Sequence, residues 1–157
     1  MKISSFGGLV LAPVLAMSMG QAAAACSNAT LLGNYVFHIS GEVLAPAPAA
    51  GLVSGVALTY FDGAGGLNQV DHAVHNGVKP AEDWRPGEGT YSINPDCTGW
   101  MTITQHPTEA ADAGPELKLY IVVTEDGNEV QTVVSGSPTA AAFAANITST
   151  GIRRNRD

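Results

Sequence analysis

Gly89-Thr90-Tyr91-Ser92-Ile93-Asn94-Pro95-Asp96-Cys97-Thr98-Gly99 is the stretch whose reading decides the fold. Tyr91 and Ile93 alternate with Thr90 and Ser92, the period of a strand with one buried face. Asn94-Pro95-Asp96 supplies turn-forming residues, and Thr98-Gly99 opens a second β-rich run, so the segment is a tight hairpin with a cysteine in its turn. Outward from it the same grammar repeats. Asp62-Gly63-Ala64-Gly65-Gly66 and Asp126-Gly127 are two more short links with known backbone requirements. Eight β-type runs emerge, at about 33–43, 52–61, 67–76, 88–94, 99–106, 116–125, 128–135 and 140–151, and no stretch holds helical periodicity. Tyr35, Phe37, Ile39 and Val43 share one face of the first run, while Asn34, His38, Ser40 and Glu42 share the other.

The other links are longer and Pro-rich: Leu44 to Gly51, Gly77 to Gly87, Pro107 to Pro115, and a shorter one near Ser135 to Pro138. Tight and long links alternate. In an up-and-down meander alternate links lie at opposite ends, so the tight turns share a base and the long loops form a mouth. Cys26 precedes the first run and Cys97 lies in a tight turn, which places both at the base. The expected fold is all-β, a single antiparallel up-and-down barrel of about eight strands, with an open two-sheet sandwich as the second choice.

Lys2, an apolar run from Phe6 to about Met19, and Gln21-Ala22-Ala23-Ala24-Ala25 have the order of a secretory signal, with a small-residue cleavage site before Cys26. The run is too short and too broken by Gly7, Gly8 and Pro13 for a membrane span. Residues 1–25 are thus read as a signal peptide and 26–157 as one domain, exported to the periplasm or the medium. Export favours a Cys26–Cys97 disulfide; acylation of Cys26 is the competing reading, against which Ala23 stands where such sites favour leucine. The net charge of −7 becomes about −8 once Lys2 is removed, which argues against nucleic acid as a partner. Arg153-Arg154-Asn155-Arg156 reads as a solvated tail.

At Leu32-Gly33-Asn34-Tyr35-Val36-Phe37, Tyr60-Phe61-Asp62-Gly63-Ala64-Gly65 and the opening stretch, the chain resembles a group of small exported bacterial β-barrel proteins. The resemblance spans nearly the whole mature chain and implies the fold and export. It carries over no catalytic residues. The barrel also looks like the broader architecture of lipocalins and allene oxide cyclase-type proteins, an analogy of shape that fixes no function.

Chemistry is sparse. His72 and His75 are three apart on a strand and point to opposite faces, and neither Cys-x-x-Cys nor His-x-His occurs, so no metal and no cofactor are expected. Asp71 and His75 share a face but stand about 13 Å apart along the strand, too far for a base and its orienter. No G-x-S-x-G context surrounds a serine. The mouth is the place to look for a site: Trp84 and Arg85, with Glu82 and Asp83, lie in the longest Pro-bounded loop, and Glu42, His75 and His106 lie at strand ends. Trp84 is read either as a cap over a pocket or as a plug. Tyr35, Phe37, Tyr91 and Phe143 are expected to line the interior. Three roles remain open: a structural or interaction protein with a filled barrel, a binder of a small apolar or amphipathic molecule, and a cyclase- or isomerase-type enzyme. A hollow interior separates the last two from the first.

Overall fold

A computed structural model describes residues 25–108 and 114–154. The signal-peptide reading of residues 1–25 falls, but for residue 25, outside the described residues, as does Arg156 of the terminal basic cluster. Among the described residues eight strands follow a 3-10 turn at Asn28–Thr30: β1 Leu32–Ala45, β2 Gly51–Asp62, β3 Gly66–His75, β4 Arg85–Ile93, β5 Thr98–Gln105, β6 Leu117–Val123, β7 Glu129–Gly136 and β8 Ala144–Arg153. Each pairs antiparallel with the next, and β1 pairs with β8 from Tyr35 opposite Arg153 to Ala45 opposite Ala144, closing the barrel. Closure leaves no unpaired edge. Among the described residues no helix is long and apolar enough to cross a membrane.

The period of two decides which side chains go in. Tyr35, Phe37 and Val43 of β1 are buried, whereas Val36, His38 and Glu42 between them are exposed. The tight links at 63–65, 94–97 and 124–128 gather at one end and the longer ones at the other, as the alternation requires. Each tight link is held by one aspartate. Asp62 Oδ1 accepts the backbone N–H groups of Ala64, Gly65 and Gly66 at 2.7, 2.9 and 2.9 Å. Asp96 accepts the Thr98 hydroxyl at 2.6 Å, and Asp126 that of Thr124 at 2.6 Å. Donation from Ala64, Thr98 and Thr124 respectively holds these three carboxyls below their ordinary range. Gly127 has φ +65°, and a Cβ there would lie 2.2 Å from the Thr30 carbonyl oxygen, so the third turn requires glycine.

The N-terminal segment straps this base. Cys26 is bonded to Cys97 with a Cα–Cα distance of 5.0 Å across 71 residues, and the Cys26 N–H donates to the Pro95 carbonyl at 3.2 Å. Above the strap sits a plug. Phe61 packs edge-on against Tyr35 and Tyr91, at ring separations of 5.3 and 5.0 Å, over the fully buried Leu31. Arg153 donates to the Tyr35 hydroxyl at 3.0 and 2.8 Å and to the Thr30 carbonyl at 2.6 Å, and the Tyr35 hydroxyl donates to the Gly127 carbonyl. The Tyr91 hydroxyl lies 3.1 Å from the carbonyls of both Asn28 and Leu31. Burial pushes the Tyr91 phenol up to about 12 and raises that of Tyr35, so both stay neutral donors.

Candidate functional site

Above the aromatic plug the barrel is hollow. A cavity of about 620 Å³ runs from Phe37, Met101 and Leu119 toward the long loops, where Pro46, Pro48, Pro115 and Phe143 line its mouth. Eight strands enclose just enough space for one small ligand when the inward side chains leave it unfilled. Here they do: Ala57 of β2 and Ala73 of β3 occupy inward positions with little side chain. The walls are otherwise aliphatic, supplied by Ile39, Val53, Ile103, Leu117, Val134 and Ile147.

One polar cluster interrupts them. Asp71 and Arg85 are direct partners in the β3–β4 register, both facing inward. Arg85 Nε donates to Asp71 Oδ1 at 2.8 Å, with Nη2 2.7 Å from the same oxygen. Oδ2 accepts Gln105 Nε2 at 2.6 Å and Gln69 Nε2 at 3.2 Å. The two glutamines reach the same carboxylate because Gly87 lies between them, paired with Gln69 on one side and Gln105 on the other. A Cβ at Gly87 would come 3.1 Å from the Thr104 carbonyl oxygen and 3.4 Å from Gln69 Cγ, so the bare backbone is what lets the amides converge. Thr59 completes the chain, its hydroxyl 3.4 Å from Gln69 Oε1. The Asp71 side chain is 3 % exposed and that of Arg85 14 %. A buried ion pair is a weak source of stability, because desolvation offsets most of its attraction.

Two smaller polar features face the same space. Thr132 of β7 and Ser149 of β8 join hydroxyls at 2.7 Å, and β7–β8 lies four strands from β3–β4 in the ring, on the opposite wall. Nearer the mouth, His75 Nε2 is buried without a hydrogen-bond partner among the described residues. A buried ring nitrogen left unpaired is uncommon and calls for an acceptor or donor from elsewhere.

The residues expected from sequence to form the site divide three ways. Phe37, His75 and Arg85 line the cavity, together with Phe143. Tyr35 and Tyr91, expected in the lining, belong to the plug beneath it, because their hydroxyls find carbonyls in the base strap. Trp84, Glu42 and His106 lie on the outside. Trp84 is 54 % exposed and its ring packs against His72, whose Nδ1 meets the Asp83 carbonyl at 2.6 Å. Trp84 therefore neither caps nor plugs the barrel. Glu42 is an exposed residue that lines, with Leu52 and Asn146, an open depression distinct from the barrel cavity. His106 pairs with Glu88 at 3.2 Å on the outer surface. Arg85, expected within the loop, is the first residue of β4, and one step from the exposed Trp84 turns its side chain inward.

Sequence reasoning missed Gln69 and Gln105 and the partnership of Asp71 with Arg85. The signal was present in part: Leu67, Gln69, Asp71, Ala73 and His75 are the inward set of β3, unusually polar for the inside of a strand. Among the described residues no group of three or more His, Cys, Asp or Glu side chains is placed to hold a metal ion. Comparison with family models, with curated proteins and with solved structures finds no match for this chain.

Proposed function

We propose that this protein binds one small amphipathic molecule inside the barrel, entering between the long loops. The observation that carries the reading is the cavity itself: about 620 Å³, mostly apolar, within the range of small-molecule sites and furnished with one converging polar cluster. A barrel serving only as a scaffold gains by filling this space, since every void forfeits packing energy. The closed base supports entry from the other end. The Cys26–Cys97 disulfide is compatible with an oxidising compartment, and with the signal-like N-terminus it supports a periplasmic or extracellular place of action.

Titration with Nile red, an uncharged dye that fluoresces in apolar surroundings, tests the reading. Saturable binding of one dye per barrel in the micromolar range is expected, and Ala73→Phe, which puts a ring into the cavity, should weaken it at least tenfold. Dye fluorescence that is absent, or unchanged by Ala73→Phe, refutes the site. The ligand itself is sought by native mass spectrometry of protein purified from its own host.

A further inference from the structure

Building on that reading, we infer that the cavity selects an uncharged ligand carrying hydrogen-bond-accepting oxygens, of the ketone, ester or lactone class, and discriminates against fatty acids and alkylamines of equal length. The charges on the cavity wall come as a matched pair. A ligand carboxylate drawn to Arg85 arrives within a few ångströms of the Asp71 carboxylate, and a ligand ammonium drawn to Asp71 arrives beside the guanidinium. Neither repulsion is screened in an apolar enclosure, and neither ion recovers the hydration it leaves behind.

What the wall offers instead is donors. Asp71 is saturated as an acceptor by Arg85, Gln69 and Gln105. Arg85 meets it through Nε and Nη2, and the Nη1 N–H groups have no acceptor among the described residues. Across the cavity, Thr132 and Ser149 hold two hydroxyl protons between them and share one hydrogen bond, so one proton is left to donate. An oxygen acceptor can thus be met from either wall. A cavity of about 620 Å³ divided by ~30 Å³ per water-sized group suits a ligand of roughly 20 non-hydrogen atoms.

The experiment is displacement of Nile red from the oxidised protein at pH 7.5 by four compounds that share a 12-carbon chain: δ-dodecalactone, methyl dodecanoate, dodecanoate and dodecylammonium. The lactone and ester should displace the dye at concentrations at least tenfold below those of the two ions. Asp71→Asn, which leaves the Arg85 charge uncompensated, should shift the dodecanoate-to-lactone preference at least tenfold toward the acid. Dodecanoate or dodecylammonium competing as well as the lactone overturns the inference and leaves the binding site standing, provided Ala73→Phe still blocks the dye. Failure of Nile red to bind in an Ala73→Phe-sensitive manner removes both. The wild-type ranking decides the matter by itself if Asp71→Asn does not fold.

Discussion

Removing the Arg85 guanidinium while keeping its bulk, as in Arg85→Met, leaves the Asp71 carboxylate in the wall with two amide donors and no counter-charge. The pair is cross-strand in register and its acid is 3 % exposed, which places it with buried rather than surface ion pairs. Breaking such a pair costs about 3–5 kcal/mol, because the surviving charge keeps its desolvation penalty and loses its compensation. For a domain of about 130 residues, where ~1 kcal/mol moves the melting temperature by about 4 °C, the expected drop is roughly 12–20 °C. Asp71→Leu combined with Arg85→Met removes both charges and should recover most of the loss. The coupling between the two sites should therefore reach about 2 kcal/mol or more. Urea unfolding followed by circular dichroism, with the disulfide intact, measures all three variants on one scale. A cost below about 1 kcal/mol for Arg85→Met, the value of a solvated pair, would show that cavity water screens Asp71 and would refute the reasoning.

Three further outcomes are expected. The depressed acidities of Asp62, Asp96 and Asp126 mean that the base turns contribute their full stability above the unfolded carboxylate pKa and lose it as pH falls through the lower folded values; acid unfolding that begins well above pH 4 would contradict this. Replacing Cys26 and Cys97 by serine opens a loop spanning 71 residues and should cost about 4 kcal/mol by chain entropy, and intact-mass analysis of the wild type should show no free thiol without reductant. Trp84→Ala should change stability by no more than ~0.5 kcal/mol and leave Nile red affinity unaltered, since the ring lies on the outer surface; a large loss in either would return Trp84 to the site.

The barrel itself was legible along the chain. Asp62-Gly63, Asn94-Pro95-Asp96 and Asp126-Gly127 announce tight turns through side chains that bond their own backbone, and this chemistry is local. Alternation of tight and long links then orders the strand ends without any knowledge of contacts, and Cys26 and Cys97 fall at one end by the same count. Inward and outward faces follow from the period of two, which puts Phe37 on the cavity side, while the strand-end position of His75 follows from the alternation of links. Pro86 extends the loop reading past Arg85, since proline discourages a strand; in the barrel Pro86 is the second residue of β4, where it pairs with Val70.

What the chain by itself did not determine is what its inward side chains meet. The link from residue 76 to 84 is long enough to permit several registers between β3 and β4, and the observed one sets Asp71 against Arg85 and lays Gly87 between Gln69 and Gln105. A shift of two residues would keep every face and abolish the cluster. Whether the barrel is filled or hollow is likewise a property of all eight strands together. Tyr35, Phe61 and Tyr91 crowd the base, while Ala57 and Ala73 leave the upper interior open, and only closure of the ring puts these residues around one volume. Local sequence dictates direction, because a side chain's orientation depends on its own backbone; register and closure dictate encounter, because they depend on residues far away in the chain.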